Sequence, residues 1–142
     1  MLTGLIYAAG VNSRLAGKIA VPFKGMLITP DGKSLIVKQV ESLLELGIDE
    51  VVIVVGLEHS SLIEHLKSNF PKTKLQFEYN PDYRTKGNML SLWHARKWCV
   101  DHVCFTTSDL FFSGHLPKNF CHTRYSKILV DQRDQTLFED PD

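Results

Sequence analysis

No apolar run in the 142-residue chain approaches the roughly 20 residues of a membrane-spanning helix. The first residues, MLTGLIYAAG, lack the basic patch that opens a secretory leader, so no signal peptide is read there. Charge of one sign is missing too: sixteen Lys and Arg face sixteen Asp and Glu. That balance argues against a broad nucleic-acid surface and leaves room for a small local anion site. Cysteine is scarce and odd in number. Cys99, Cys104 and Cys121 do not suggest a secreted disulfide framework, and a reducing cytoplasm is the expected setting. Internal repeats and low-complexity tracts are lacking.

Several chemical signatures are also missing. Gly32-Lys33-Ser34 has the ending of a Walker A loop, but Leu27 stands where that motif needs Gly. A G-x-G-x-x-G reading from Gly10 fails at Asn12 and Leu15. Cys99, His102 and Cys104, with Cys121-His122 further on, have none of the usual zinc spacings. His59 and His65 each follow a Glu without making H-E-x-x-H, and no histidine is assigned to Ser108-Asp109.

What is present suits one folding unit over residues 1–142, with 44% hydrophobic content. Leu5–Ala8 reads as a short buried strand, and 9–33 as a Gly- and Pro-rich loop. Residues 34–46 are predicted helical. Ile36, Val40, Leu43 and Leu44 share a face, Ser34 caps the start and Gly47 ends the helix. EVVIVV, 50–55, is apolar on both faces, as an interior parallel strand should be. A helix follows over 60–70, with Ser61 and Glu64 as a capping box and Pro71 as its stop. Strands are expected at 75–79, 102–109 and 127–131, a helix at 88–100, and a frayed acidic tail at FEDPD. Strands alternating with helices predict an α/β fold with a largely parallel sheet and right-handed crossovers.

In such sheets ligands sit beyond the carboxyl ends of the strands, so loops 8–24, 80–88 and 107–113 could line one crevice. Ala8-Ala9-Gly10 would let a ligand approach the backbone, with Gly10 free to take positive φ. Arg14 offers a planar fork for phosphate, with Lys18 and Lys24 beyond it. A tight turn with solvated cations is the bland alternative. Asp109 could hold Mg²⁺ through its oxygens or cap a turn. Asn80, Tyr83, Arg84, Lys86 and Asn88 fill the third loop. Asn88 could cap the next helix or reach a ribose or base. Met89, Leu92, Trp93 and Arg96 are spaced as one helix face, which assigns the tryptophans to packing.

In order, AAGVNSR, VPFKGML, DGKSLIVKQVESLLELGIDEVVIVVG and TTSDLFF resemble the nucleotidyltransferase family with the GT-A-type fold. That family includes sugar-1-phosphate nucleotidyltransferases and phosphocholine cytidylyltransferases, and YNPDYRTKGNMLSLWHAR is closer to the latter. The resemblance covers 3 to about 131. It implies a three-layer Rossmann-like fold, a mixed, mostly parallel sheet flanked by helices. Against the family the chain is C-terminally short, its acceptor-binding part reduced or missing.

The resemblance also implies roles. Arg14, Lys24 and Asp109 would be catalytic, with Lys18 as the alternative to Lys24. Ala8, Ala9, Gly10, Asn12, Ser13, Asn80, Gly87 and Asn88 would bind nucleotide, and Asp109 would be the Mg²⁺ ligand. The implied reaction transfers a nucleotidyl group from an NTP, CTP favoured, to a phosphocholine-like or sugar 1-phosphate acceptor, releasing pyrophosphate. A non-catalytic nucleotide-binding module is the alternative. No nucleic-acid or membrane partner is expected, and a homo-oligomer is left open. A GT-A glycosyltransferase ranks third, because Thr107, Leu110 and Phe111 around Asp109 leave no Asp-x-Asp.

Overall fold

The computed structural model describes residues 2–10, 20–56, 59–84, 87–110, 120–121 and 125–128. Four strands, β1 (Leu2–Tyr7), β2 (Glu50–Val55), β3 (Leu75–Tyr79) and β4 (His102–Thr107), form one sheet in the order β3-β2-β1-β4. Every pairing among them is parallel, with Thr3 to Tyr7 set against Glu50 to Val54 on one side and Val103 to Thr107 on the other. Three helices connect them: α1 (Leu35–Glu45), α2 (Ser60–Asn69) and α3 (Asn88–Ala95), the last running into a 3-10 turn at Arg96–Trp98. A second 3-10 turn spans Lys24–Met26.

The sheet is covered on both faces because β2 is apolar on both. Val51, Ile53 and Val55 point into a core shared with Ile6 and with Ile36, Val40 and Leu43 of α1 and Leu62 and Leu66 of α2. Val52 and Val54 point the other way, to Leu5, Ala9, Tyr83 and Ala95. Full burial of each such side chain stabilises the fold by about 1.5–3 kcal/mol relative to exposure. The helices therefore form the two outer layers of an α/β sandwich.

Helix α1 begins and ends as its sequence requires. Ser34 Oγ accepts from Val37 N–H at 3.4 Å, and Gly47 sits at φ +79, a left-handed conformation open to glycine. Four expectations need correction. Helix α2 starts at Ser60 with His59 at the cap position, so Ser61 and Glu64 form no capping box. Gly87 precedes α3, and Asn88 is its first residue rather than its cap. Trp93 and Met89 are not packed: they are 58% and 76% exposed, and the Arg96 guanidinium lies 4.1 Å from the Trp93 ring centroid. The fully buried residues of α3 are small, Ser91 and Ala95, with Leu92 partly buried beside them, and Met89 and Trp93 are left outside. Finally, Lys127 and Ile128 lie exposed and outside any strand, while the rest of the expected strand at 127–131 and the acidic tail lie outside the described residues.

Candidate active site

Parallel strands end together, and the carboxyl ends of β1 and β4 are tied to each other. Ser108 N–H donates to the Tyr7 carbonyl at 3.1 Å, while on the other side Ala8 N–H joins β1 to β2 through the Val54 carbonyl at 2.9 Å. Beyond these ends lies a cavity of about 130 Å³. Its lining includes Tyr7, Ala8 and Gly10 after β1, Phe23, Lys24 and Gly25 from the first loop, Asn88 at the start of α3, and Thr107, Ser108 and Asp109 after β4. Loops far apart in the chain meet there.

Gly10 contributes through space rather than backbone angle. Its φ is not positive, and a Cβ built on it would meet nothing within 4 Å, so it leaves the cavity wall open. Gly25 works by close approach. A Cβ there would lie 3.3 Å from Ile36 Cβ and from Ser108 Cβ and carbonyl oxygen. The absent side chain lets the Lys24 turn close on the Asp109 loop. Lys24 Nζ stands 3.7 Å from Asp109 Oδ2, with the two side chains 29% and 44% exposed. An ion pair so open to water contributes little to stability. Its interest is chemical: an ammonium and a carboxylate face one small cavity. Tyr7 adds a phenol whose pKa burial raises, with the Cys99 thiol assisting, so it stays a neutral hydrogen-bonding group.

The remaining predicted residues divide. Asn80 is buried with its side chain committed: its Nδ2 donates to Ser91 Oγ at 3.1 Å and its Oδ1 accepts from Asp82 N–H at 2.9 Å. Ala9 packs into the core behind Ala8, and Gly87, at the cap position before α3, is not among the lining residues. Arg14, Asn12, Ser13 and Lys18 lie outside the described residues, as does Lys86.

Sequence reading passed over two supports of the site. Phe23, next to Lys24, stacks on His59 at 4.1 Å between centroids, and His59 meets Tyr83 edge-on at 5.9 Å. His59 Nδ1 also accepts from Gly56 N–H at 3.1 Å. This aromatic trio fastens the Lys24 turn to the loop before α3. The only signal of it in the sequence is an aromatic residue beside the lysine. Gln39, inside the apolar stripe of α1, is the second. Its polar character amid Ile36, Val40 and Leu43 was the available clue.

Mg²⁺ is commonly held by one or two carboxylates with waters and substrate phosphates completing its shell. The half-exposed carboxylate of Asp109, opening on a cavity, fits that lean donor set. Among the described residues no three His, Cys, Asp or Glu side chains gather. Among them, too, no helix is long and apolar enough to cross a membrane.

The molecule is similar to solved nucleotidyltransferases. It aligns with the CTP:phosphocholine cytidylyltransferase from Streptococcus pneumoniae at TM-score 0.67 and 26% identity, covering 83% of this chain and 49% of that one. The inositol-1-phosphate CTP transferase from T. maritima shares the fold at TM-score 0.64 and 19% identity, with 89% and 49% covered. Among curated proteins, the CMP-5'-(3-aminopropyl)phosphonate synthase of Streptomyces rubellomurinus is 28% identical over 108 residues, 76% of this chain and 17% of that protein. The chain thus spans about half the length of these solved structures and less of the curated relative. Residues 4–136 match the MobA-like NTP transferase domain, and with nearly the whole chain inside that match the protein belongs to this family.

Proposed function

We propose that the chain transfers a nucleotidyl group from an NTP, with CTP preferred, to a phosphorylated small acceptor of the phosphocholine or sugar 1-phosphate kind. The observation that carries this reading is the pairing of Lys24 and Asp109, 3.7 Å apart, on the rim where the loops after β1 and β4 meet. The likeness to a CTP-using phosphocholine enzyme supports the choice of nucleotide and acceptor. An acceptor phosphate oxygen attacks the α-phosphorus, the bond to the bridging oxygen of the β-phosphate breaks, and pyrophosphate leaves with that bond's electrons. The attacking oxygen is already anionic, so no general base is needed. The chain's work is positioning and charge stabilisation.

Each residue then has a task. The open backbone at Ala8 and Gly10 receives the nucleotide, and Lys24 offsets negative charge gathering at the α-phosphate. Arg14 grips the triphosphate, and Asn88, at the start of α3, bonds to the ribose or base. Asp109 would hold Mg²⁺, which when bound supplies charge neutralisation to the phosphate oxygens.

The test is pyrophosphate release from each NTP with Mg²⁺ and a panel including phosphocholine and sugar 1-phosphates. Release is expected with CTP. Lys24→Ala should lower kcat by roughly 10²–10³, the usual loss for one charge-stabilising group. Asp109→Ala should remove most pyrophosphate release and raise the Mg²⁺ concentration that the remainder needs, and Arg14→Ala should weaken NTP binding with or without metal. Silence from every NTP and acceptor pair rejects catalysis. A second reading, a nucleotide-binding module without turnover, is favoured by one observation: Asp109 is the single carboxylate among the described residues that line the cavity. Stabilisation by CTP without pyrophosphate release would select it.

A further inference from the structure

The loop carrying Asp109 is a short turn, and most of its fastening is ordinary. Ser108 N–H bonds to the Tyr7 carbonyl, and Leu110 N–H reaches the Thr107 carbonyl at 3.5 Å. One fastening is not ordinary. Gln39 is 1% exposed on the core face of α1, among Ile36, Val40 and Leu43. Both ends of its amide are used. Its Oε1 accepts from Thr106 Oγ1 at 3.1 Å, and its Nε2 donates to the Leu110 carbonyl. A buried amide persists only where its polar atoms are satisfied, and an apolar side chain would otherwise suit this stripe. The two partners flank Asp109, three residues before it and one after. Because the Leu110 carbonyl can only accept, it fixes Nε2 toward the Asp109 loop and leaves Oε1 for the Thr106 hydroxyl.

We propose that Gln39 is a positioning residue: its amide, bonded to Thr106 and to the Leu110 carbonyl, holds the Asp109 loop at the cavity and thereby sets how much divalent cation the site needs. The second half of this statement rests on the nucleotidyl-transfer reading. Gln39 touches neither substrate nor metal. It acts on the backbone that aims the carboxylate, as groups behind a metal ligand commonly do. Gly25 closes the other side of the same loop against Ser108, so losing the α1 bond would let Asp109 shift away from Lys24 while the sheet stays intact.

Two readouts on the full chain test this, using Gln39→Leu, Thr106→Val and a control, Val40→Ala, which destabilises the same helix away from the loop. The first is amide exchange at residues 108–110 without ligand. Gln39→Leu is expected to speed it roughly tenfold beyond the control at matched global stability. Thr106→Val, which removes only the hydroxyl that donates to the amide oxygen, should move it in the same direction and by less. Exchange no faster than in Val40→Ala overturns the clamp. Should Gln39→Leu fail to fold, Thr106→Val decides alone.

The second readout is the Mn²⁺ concentration giving half-maximal binding in the presence of CTP, with the Mg²⁺ concentration for half-maximal pyrophosphate release beside it. Both should rise roughly tenfold in Gln39→Leu and stay unchanged in Val40→Ala. Equal metal demand in the two overturns the link to the cation. If the unaltered chain neither binds Mn²⁺ with CTP nor releases pyrophosphate, the function and the metal half of this proposal fall together. The exchange result then still decides whether Gln39 holds the loop.

Discussion

Single side chains show most directly how local surroundings set chemistry. Cys104 faces the core from β4, and burial first, then the hydrogen bond with the Cys121 thiol, pushes its pKa up to about 12. At pH 8 Cys104 would be held as the thiol, with little of the thiolate that reacts. Native chain treated with iodoacetamide at pH 8 should therefore stay unlabelled at Cys104, and urea should release the reaction. Prompt native labelling, read by peptide mass, would mean that β4 opens. Asp31 is the opposite case. The Lys38 ammonium at 2.6 Å, then the Thr29 hydroxyl, hold its carboxyl down to about 2. A carboxyl whose pKa is lower folded than unfolded contributes stability above the unfolded pKa, and that contribution disappears as pH falls through about 2. Asp31→Asn should thus lower the urea midpoint slightly at pH 6, and the difference from the unaltered chain should shrink toward pH 2. A gap that widens on acidification would contradict the assignment.

At the level of elements, the join between β2 and α2 is the tightest place described. A Cβ on Gly56 would lie 2.7 Å from two ring atoms of Tyr83 and 2.9 Å from His59 Cε1. Neither ring can swing away freely, since His59 is stacked on Phe23 and bonded to Gly56 itself. Gly56→Ala should cost about 1–3 kcal/mol by urea unfolding, the usual range for overpacking a filled site. It should also loosen the Lys24 turn, visible as a lower kcat. The same join shows where sequence patterns stop informing. The bounds of β2 and β3 were legible because Val- and Ile-rich or alternating runs have few other uses. Ser61 and Glu64 matched a capping box by spacing, yet the cap position of α2 falls two residues earlier, at His59, which is committed to Gly56 and Phe23. Trp93 followed a helical stripe, but α3 is too short and its contact with the sheet too narrow to bury it. Such tertiary demands leave no periodicity behind.

For the whole molecule, the parallel sheet explains why a cavity could be anticipated at all. Four strands running one way put their carboxyl ends on one edge, so loops after β1 and β4 meet whatever their sequences are. What was not legible is what steadies them: Gln39 reads as a polar interruption until α1 is laid against β4. The consequence is measurable without knowing the acceptor. A ligand that binds only the folded state stabilises it by RT ln(1 + [L]/Kd), about 2.7 kcal/mol at a hundredfold excess over Kd. For a chain of this size that corresponds to a rise in Tm of roughly 6–12 °C. CTP with Mg²⁺ should produce such a rise. Adding EDTA should cut it, because triphosphate repulsion against Asp109 is then no longer offset. Lys24→Ala should reduce the rise under both conditions. A Tm indifferent to every NTP would mean that the cavity is only a gap between loops, since no nucleotide can occupy a folded-state site without shifting the folding equilibrium.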